Sequence, residues 1–398
     1  MIKQRSLKTD EPRNLSIGIV GGGQLAQMLC EAADNRNLNV TVQTSSEKDP
    51  AVSKADKFIL YSPDNAEGTK KLAHLTSRIT FENEWINIED LYNLDEQGTI
   101  FTPSLLSLTS LTNKLSQRKI LNKLNIPVSK WFLLSSIDPK EAHLPDGFNY
   151  PLMAKICHGG YDGKGTKVIH NKNDFINLIS NSNTKNWLLE SWVDYEQELA
   201  LVASRDNFGQ IRAFPMVKTC QSNQICDWVI APANINSDIQ SMALNIISSL
   251  LVELNYVGVL AIEFFYGQNG LLVNEIAPRT HNSAHFSIEA CNSSQFDQQI
   301  CIVAEIPVLE PQLLVDGAIM VNLIGLSSEL SPLSLDERIN RIKALTGAYL
   351  HWYGKKEERP GRKLGHVTFL LNSRDPLSRE RDALKKLKEV RSIWPLNK

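Results

Sequence analysis

The 398-residue chain has no apolar run approaching the roughly 18 residues that a membrane-spanning helix needs. Its first residues, MIKQRSLKTDEPRN, lack the apolar stretch of a signal peptide. We therefore expect a soluble, cytoplasmic protein with no membrane partner. Cys30, Cys157, Cys220, Cys226, Cys291 and Cys301 form no CxxC pair and have no histidines at metal spacing, so they read as reduced thiols. An excess of either charge is missing too, since 42 basic and 44 acidic residues leave a net −2. Bulk neutralisation of nucleic-acid phosphates leaves a basic footprint, so no nucleic-acid partner is expected and any affinity for phosphate must be local. Internal repeats and low-complexity segments are absent. At 42% apolar and 22% charged, the composition excludes bulk disorder, collagen-like and coiled-coil chains.

What is present begins as a doubly wound α/β unit. An apolar run at 15–20 is followed by Gly21-Gly22-Gly23 and a helical pattern through Gln24, Leu25, Met28, Leu29 and Ala32. Strands are predicted at 39–44, 58–61 and 79–81, giving a small parallel-sheet domain over about 15–112. A helix over 107–124 ends at Ile126-Pro127, because proline removes a donor and restricts the residue before it. Strands follow at 131–134, 152–156, 167–169, 187–191 and 198–203. An amphipathic helix spans 237–254 with Ser237 as its N-cap. A hairpin at 257–266 and 271–276 comes next, then strands at 318–324, 348–353 and 366–371 and a charged helix over 377–390.

Gly21-Gly22-Gly23-Gln24-Leu25-Ala26 fits a loose dinucleotide fingerprint, but the second strand ends Val42-Gln43-Thr44 without the carboxylate that holds a nicotinamide ribose. A helix N-terminus able to hold a phosphate or carboxylate remains, as does a tight turn needing positive φ. The segment Lys155-Ile156-Cys157-His158-Gly159-Gly160-Tyr161-Asp162-Gly163-Lys164-Gly165-Thr166 places four glycines in seven residues between two strands. Its backbone amides can close over a ligand while Lys155 places a charge on a phosphate; a mobile hairpin is the plainer reading. No helix is predicted after it, so it is not a P-loop.

Glu263 and Glu275 lie within apolar strands, where a charge is costly unless it meets a cation. A three-residue loop 268–270 with left-handed Gly270 pairs Gly267 with Leu271 and sets the two carboxylates opposite each other. A divalent metal relieves their repulsion, and oxygen ligands, with Asn274 nearby, favour Mg²⁺ over zinc. Glu190 with Glu198, eight residues on, has the form of a strand end facing an adenine and a ribose. Arg279, His281, Asn282 and Ser283 follow the hairpin, and Lys355, Arg359, Arg362 and Lys363 form a basic turn. A phosphate-bearing substrate and a solvated hairpin tip are the two readings of these cations.

In order, GGGQLA, KxxxGGYDGKG, ExxV with a later Glu, NEIAPRTHNS and HWYGKxxxRPGRKLGH resemble the 5-(carboxyamino)imidazole ribonucleotide synthases, the PurK type of the ATP-grasp superfamily, over about residues 16–370. The resemblance implies a mixed α/β and α+β ATP-grasp fold with an N-terminal Rossmann-like (pre-ATP-grasp) domain. The expected division is a polar tail at 1–14, the N-terminal domain at 15–112 and an ATP-grasp domain at 113–310 with a flexible lid over about 125–205. A small C-terminal domain at 311–398 completes the substrate site. The implied reaction uses ATP and bicarbonate to carboxylate aminoimidazole ribonucleotide through carboxyphosphate, in a homodimer.

By the same resemblance, ATP would be held by Lys114, Lys155, Gly160, Tyr161, Gly163, Gly165, Thr166, Glu190, Val193, Glu198, Asn274 and Glu275, and Mg²⁺, or Mn²⁺, by Glu263 and Glu275. The ribonucleotide would meet Gln24, Leu25, Glu82, Tyr161, Asn282, Ser283, Lys355, Arg362 and Lys363, with Asp162, Lys164, Arg279, His281 and Lys355 in catalytic roles. The chain departs from the family in four places. Ala26-Gln27 replaces glycine and a basic residue, Thr166 replaces glutamine, and Lys114 replaces arginine. Residues 218–221 read Lys-Thr-Cys-Gln where Glu-Asn-x-His is usual, so one nucleotide contact lacks its family residue. The alternatives are another ATP-grasp ligase, such as a formate-dependent glycinamide ribonucleotide transformylase, and an inactive nucleotide-binding regulator.

Overall fold

A computed structural model describes residues 15–138, 141–160, 165–181, 184–327, 329–355 and 357–396. The tail at 1–14 and the expected site residues Tyr161, Asp162, Gly163 and Lys164 lie outside the described residues. Strands β1 (Ser16–Val20), β2 (Asn39–Thr44), β3 (Lys57–Leu60), β4 (Arg78–Phe81) and β5 (Ile100–Phe101) form a parallel sheet in the order β3-β2-β1-β4-β5. Helices α1 (Gln24–Asp34), α2 (Ala66–Leu75) and α3 (Tyr92–Glu96) connect them. Ile17, Ile19, Val40 and Val42 are buried with Leu25, Met28 and Leu29 of α1, each side chain contributing about 1.5–3 kcal/mol.

The single helix expected over 107–124 is two, α4 (Leu105–Thr109) and α5 (Lys114–Lys123). Asn113 interrupts it, because its side-chain oxygen accepts from the amides of Leu115 and Ser116 at 2.7 and 3.3 Å and so starts a new helix. That restart places Lys114 and Arg118 one turn apart on one face. An antiparallel sheet follows, ordered β6-β9-β7-β8, from β6 (Trp131–Leu133), β7 (Leu152–Ile156), β8 (Thr166–Ile169) and β9 (Trp187–Ser191), with α6 (Lys172–Asn181) packed on it through Phe175 and Leu178.

The largest sheet contains β10 (Gln197–Arg205), β11 (Ile211–Ala213), β12 (Val217–Ser222), β13 (Ile225–Ala231), β14 (Gly258–Gly267) and β15 (Gly270–Ala277). Strands β16 (Gly317–Ile324), β17 (Ala348–Trp352) and β18 (Lys363–Leu371) continue it by pairing β16 with β13. Strand periodicity divides its faces. Leu199, Leu201, Leu260, Ile262 and Phe264 bury against α7 (Ser237–Glu253), whereas the opposite face carries Glu198 and Glu263 and, buried in a second apolar cluster, Ala200, Val202 and Ala261. Asn236, not Ser237, caps α7, its side chain accepting from the amide of Ile239 at 2.9 Å.

Helices α8 (Ser287–Ala290), α9 (Gln295–Val303), α10 (Leu335–Lys343) and α11 (Pro376–Ile393) complete the chain. Of these, α9 carries a buried stripe of Phe296, Ile300 and Val303 packed with α1, and buries Gln295, Gln298 and Gln299 as well. Gln299 accepts from the amide of Val259 at 2.7 Å and donates to Thr80 Oγ1 at 3.0 Å, tying the largest sheet to the parallel one. No helix among the described residues is long and apolar enough to cross a membrane.

Candidate active site

The β14–β15 hairpin closes one residue earlier than its spacing predicts. Gly267 pairs with Gly270, so the turn is Gln268-Asn269, and Gly270 is left-handed at φ +76°. Unbroken, that register would set Glu263 against Asn274. A bulge between Glu263 and Phe264 absorbs Asn274 and restores Glu275 opposite Glu263. The bulged Asn274 is gripped by two cations: its Oδ1 accepts from Lys155 Nζ at 2.9 Å and its backbone oxygen from Arg118 Nη2 at 2.6 Å.

The paired carboxylates differ electrostatically. Burial and the neighbouring Glu275 and Glu198 push Glu263 up to about 7. Burial also opposes ionisation of Glu275, but Lys114, whose Nζ lies 2.5 Å from Oε1, outweighs it and holds the carboxyl at about 2. A strained like-charge pair of this kind fits a divalent cation. Among the described residues no cluster of three or more metal-ligating side chains occurs, so most of the coordination sphere would come from phosphate oxygens and water, as suits Mg²⁺.

Lys155 at the end of β7 and Glu190 at the end of β9 are both buried. Glu190 Oε2 lies 2.8 Å from Lys155 Nζ, and its Oε1 accepts from Arg118 Nε at 2.6 Å. Burial opposes its charge, but these two cations win and hold its carboxyl at about 2. Its side chain thus anchors Lys155. Burial, with Arg118 and Lys114 nearby, lowers the Lys155 ammonium against the pull of Glu190. Sequence reasoning missed Arg118; its position four residues after Lys114 on one helix face was the available signal.

Glu198 projects from β10 on the same face as Glu263. Its Oε1 accepts from the Tyr195 hydroxyl at 2.7 Å, while its buried Oε2 has no hydrogen-bond partner among the described residues. Burial raises its carboxyl despite donation from Tyr195. The departing segment 218–221 lies in the neighbouring strand, where Thr219 pairs with Glu198, and Lys218 pairs with Glu380 of α11 at 2.6 Å. Val193 lies in the connection between β9 and β10. In the glycine loop, Gly165 is left-handed at φ +84°, and a Cβ there would meet Ile156 at 2.4 Å; Gly160 lies alongside. Thr166 donates to Gln224 at the β12–β13 turn.

The first glycine motif receives a carboxylate from its own chain. Glu82 accepts from the amides of Gly23 at 2.6 Å and Leu25 at 3.2 Å. A Cβ on Gly21 or Gly23 would lie 2.5 or 2.3 Å from Glu82, so the glycines admit that side chain. Burial raises Glu82 against the pull of those amides. Next to it, Lys355 Nζ donates to Gln24 Oε1 at 2.9 Å and to the Lys363 backbone oxygen at 2.8 Å. Arg362 donates to the Glu357 backbone oxygen at 3.1 Å. The charge of Lys363 acts on Glu263, lowering its carboxyl against the burial that raises it.

The loop after β15 joins these two ends. Arg279 donates through Nε and Nη2 to Glu84, a residue absent from the sequence reading. His281 Nε2 lies 3.6 Å from Glu263, and its Nδ1 is 2.9 Å from Ser283 Oγ. Buried Gln295 accepts from the His281 amide and donates to its carbonyl, both at 2.7 Å. The Asn282 side chain exchanges hydrogen bonds with Asn322 at 2.6 and 3.1 Å. Asn322 lies 40 residues from Asn282, and Gln295, 14 residues from His281, meets its backbone, so neither is marked by a motif.

Comparison with known proteins identifies the family. Family models match at residues 15–109 (ribonucleotide synthetase preATP-grasp domain), 119–296 (ATP-grasp domain) and 318–380 (phosphoribosylaminoimidazole carboxylase C-terminal domain). The N5-carboxyaminoimidazole ribonucleotide synthase of Synechococcus elongatus is 40% identical over 95% of this chain and 95% of its own length. That of Bacillus subtilis is 34% identical over 90% and 92%. A solved ADP complex of such a synthetase superposes with a TM-score of 0.84 at 31% identity, covering 96% of this chain and 98% of that one. An Aspergillus clavatus synthase in complex with ADP and 5-aminoimidazole ribonucleotide superposes at 0.83 and 26%, covering 95% and 99%. With its ATP-grasp fold and these relatives, the chain belongs to the N5-carboxyaminoimidazole ribonucleotide synthase family.

Proposed function

We propose that the chain is an ATP-dependent ligase of purine biosynthesis that joins bicarbonate to the exocyclic amine of 5-aminoimidazole ribonucleotide. The opposed Glu263 and Glu275, with Lys114, Lys155 and Arg279 acting on Glu275 and Lys363 and Lys114 on Glu263, carry this reading. A bicarbonate oxygen attacks the γ-phosphorus of ATP, and the bond to ADP breaks. The amine then attacks the carboxyl carbon of carboxyphosphate, losing a proton as phosphate leaves.

In this reading Lys114 and Lys155 hold the ATP phosphates, Lys155 being oriented by Glu190 and Asn274. Glu198 accepts a ribose hydroxyl, and the backbone near Val193 meets the adenine. The glycine loop, with Tyr161, Asp162 and Lys164, closes over the phosphates and excludes water from the labile intermediate. Glu263 and Glu275 would hold Mg²⁺, which when bound offsets the charge on the β- and γ-phosphates. Gln24, Glu82, Lys355, Arg362 and Lys363 receive the ribonucleotide, while Arg279 and His281 face the transferring carboxyl group. The three-part domain division, the cytoplasmic location and the homodimer belong to the same proposal and rest on the family resemblance. Incubation with ATP, the ribonucleotide and carbon-13 bicarbonate tests it. The label is expected on the exocyclic nitrogen in equal amount to the ADP formed; ADP without labelled product refutes it.

A further inference from the structure

We propose that Glu84 is a positioning residue for Arg279 and so sets affinity for the carboxyl-transfer partners and not for ATP, an inference that rests on the function proposed above. Glu84 lies just beyond β4, two residues after the Glu82 that closes the glycine motif. The amide of Trp85 donates to Asn83 Oδ1 at 2.9 Å and shapes the turn that carries Glu84. Its two carboxylate oxygens take Nε and Nη2 of Arg279, while Nη1 donates to the Thr280 carbonyl at 3.2 Å.

A side-on, two-point pair fixes the plane of a guanidinium as well as its position. Both side chains are largely shielded, at 17% and 15% exposure, so water screens the pair little. The orientation matters because Arg279 lies two residues beyond β15, the strand that carries Glu275. Glu84 comes from the parallel sheet and Arg279 from the end of β15, so the contact also aligns the ribonucleotide-facing segment with the carboxylate hairpin. A charge displaced from the reacting carboxyl group loses transition-state stabilisation without loosening the nucleotide.

Glu84→Gln keeps the shape and removes the charge, and Glu84→Asp keeps the charge and shortens its reach. For both, kcat/KM for bicarbonate and for the ribonucleotide is expected to fall between about tenfold and a hundredfold, with the KM for ATP within about twofold. In an Arg279→Ala background the same changes should cost less than about twofold further, because their target is gone. Additive losses in the double variants, a parallel rise in the KM for ATP, or unchanged kinetics would each overturn the role. Calorimetric titration of the ribonucleotide accompanies the assay. Tight binding to the wild type that survives Glu84→Gln without turnover counts against Glu84 alone, whereas no binding to the wild type overturns this inference together with the proposed function.

Discussion

Glu263 and Glu275 oppose each other because Asn274 is extruded from the ladder between them, and the extruded residue is held by Lys155 and Arg118. One backbone irregularity thus aligns two carboxylates and orients two cations. Removing either carboxylate should abolish turnover while leaving the fold intact. For Glu275→Gln and Glu263→Gln we expect wild-type circular dichroism and at least a hundredfold loss of kcat, in line with about 3 kcal/mol of lost charge stabilisation. Full activity in either variant would refute the metal assignment.

The same pair predicts a pH dependence. Glu263 has its proton affinity raised on folding from 4.5 to about 7. Between those values the folded state holds more protons, so metal-free stability should fall as pH rises from about 5 to about 7. Thermal unfolding in EDTA should show that decline, and Glu263→Gln should flatten it. Added Mg²⁺ should also flatten it and release a proton near neutral pH, measurable by calorimetry in buffers of different ionisation enthalpy. A profile unaffected by the substitution would contradict this.

Glu190 is expected to matter for stability as much as for ligand binding. Deleting it leaves Arg118 and Lys155 buried beside each other, and breaking such a pair costs about 3–5 kcal/mol. Its contribution is present above its unfolded value of 4.5 and lost as pH falls toward about 2. Urea denaturation of Glu190→Ala at neutral pH measures the first effect. A loss below about 1 kcal/mol would show that the pair is not the anchor described here.

Gly23→Ala tests why the first motif is glycine-rich. Gly23 has φ −80°, so strain is not the reason; its new Cβ would sit 2.3 Å from Glu82 Oε1. Expulsion of Glu82 from the α1 N-terminus should cost about 1–3 kcal/mol and weaken ribonucleotide binding more than ATP binding. Equal affinity for both ligands relative to wild type would count against the placement.

Lys114 stands where the family resemblance implies an arginine, and its single ammonium meets Glu275 at one point. Lys114→Arg should therefore lower the KM for ATP severalfold by restoring a two-point donor. An unchanged or raised KM would remove Lys114 from the nucleotide contacts.

Much of this was legible in the sequence, for identifiable reasons. Charged residues inside apolar strands exposed Glu263 and Glu275, and glycines in strand-to-helix and strand-to-strand turns exposed both loops. The facing of Glu263 and Glu275 was anticipated but the register at the turn was not: Gly267 pairs with Gly270 instead of Leu271, and the bulge at Asn274 compensates. Glu84, Arg118, Gln295 and Asn322 were not legible. Glu84, Arg118 and Asn322 act through partners 195, 72 and 40 residues away, Arg279, Glu190 and Asn282, while Gln295 meets His281 only 14 residues away but through the backbone, which no side-chain pattern marks. Helix α9 was not read from the sequence although Phe296, Ile300 and Val303 keep helical spacing, because its buried glutamines, which find donors and acceptors in other elements, make the stripe short.

The most direct measurement is phosphate release by the purified chain with ATP and Mg²⁺, comparing two substrate pairs. Release with aminoimidazole ribonucleotide that rises on adding bicarbonate, and none with glycinamide ribonucleotide and formate, is the predicted result. Release only with the second pair, or ATP binding without release in either, would contradict the account.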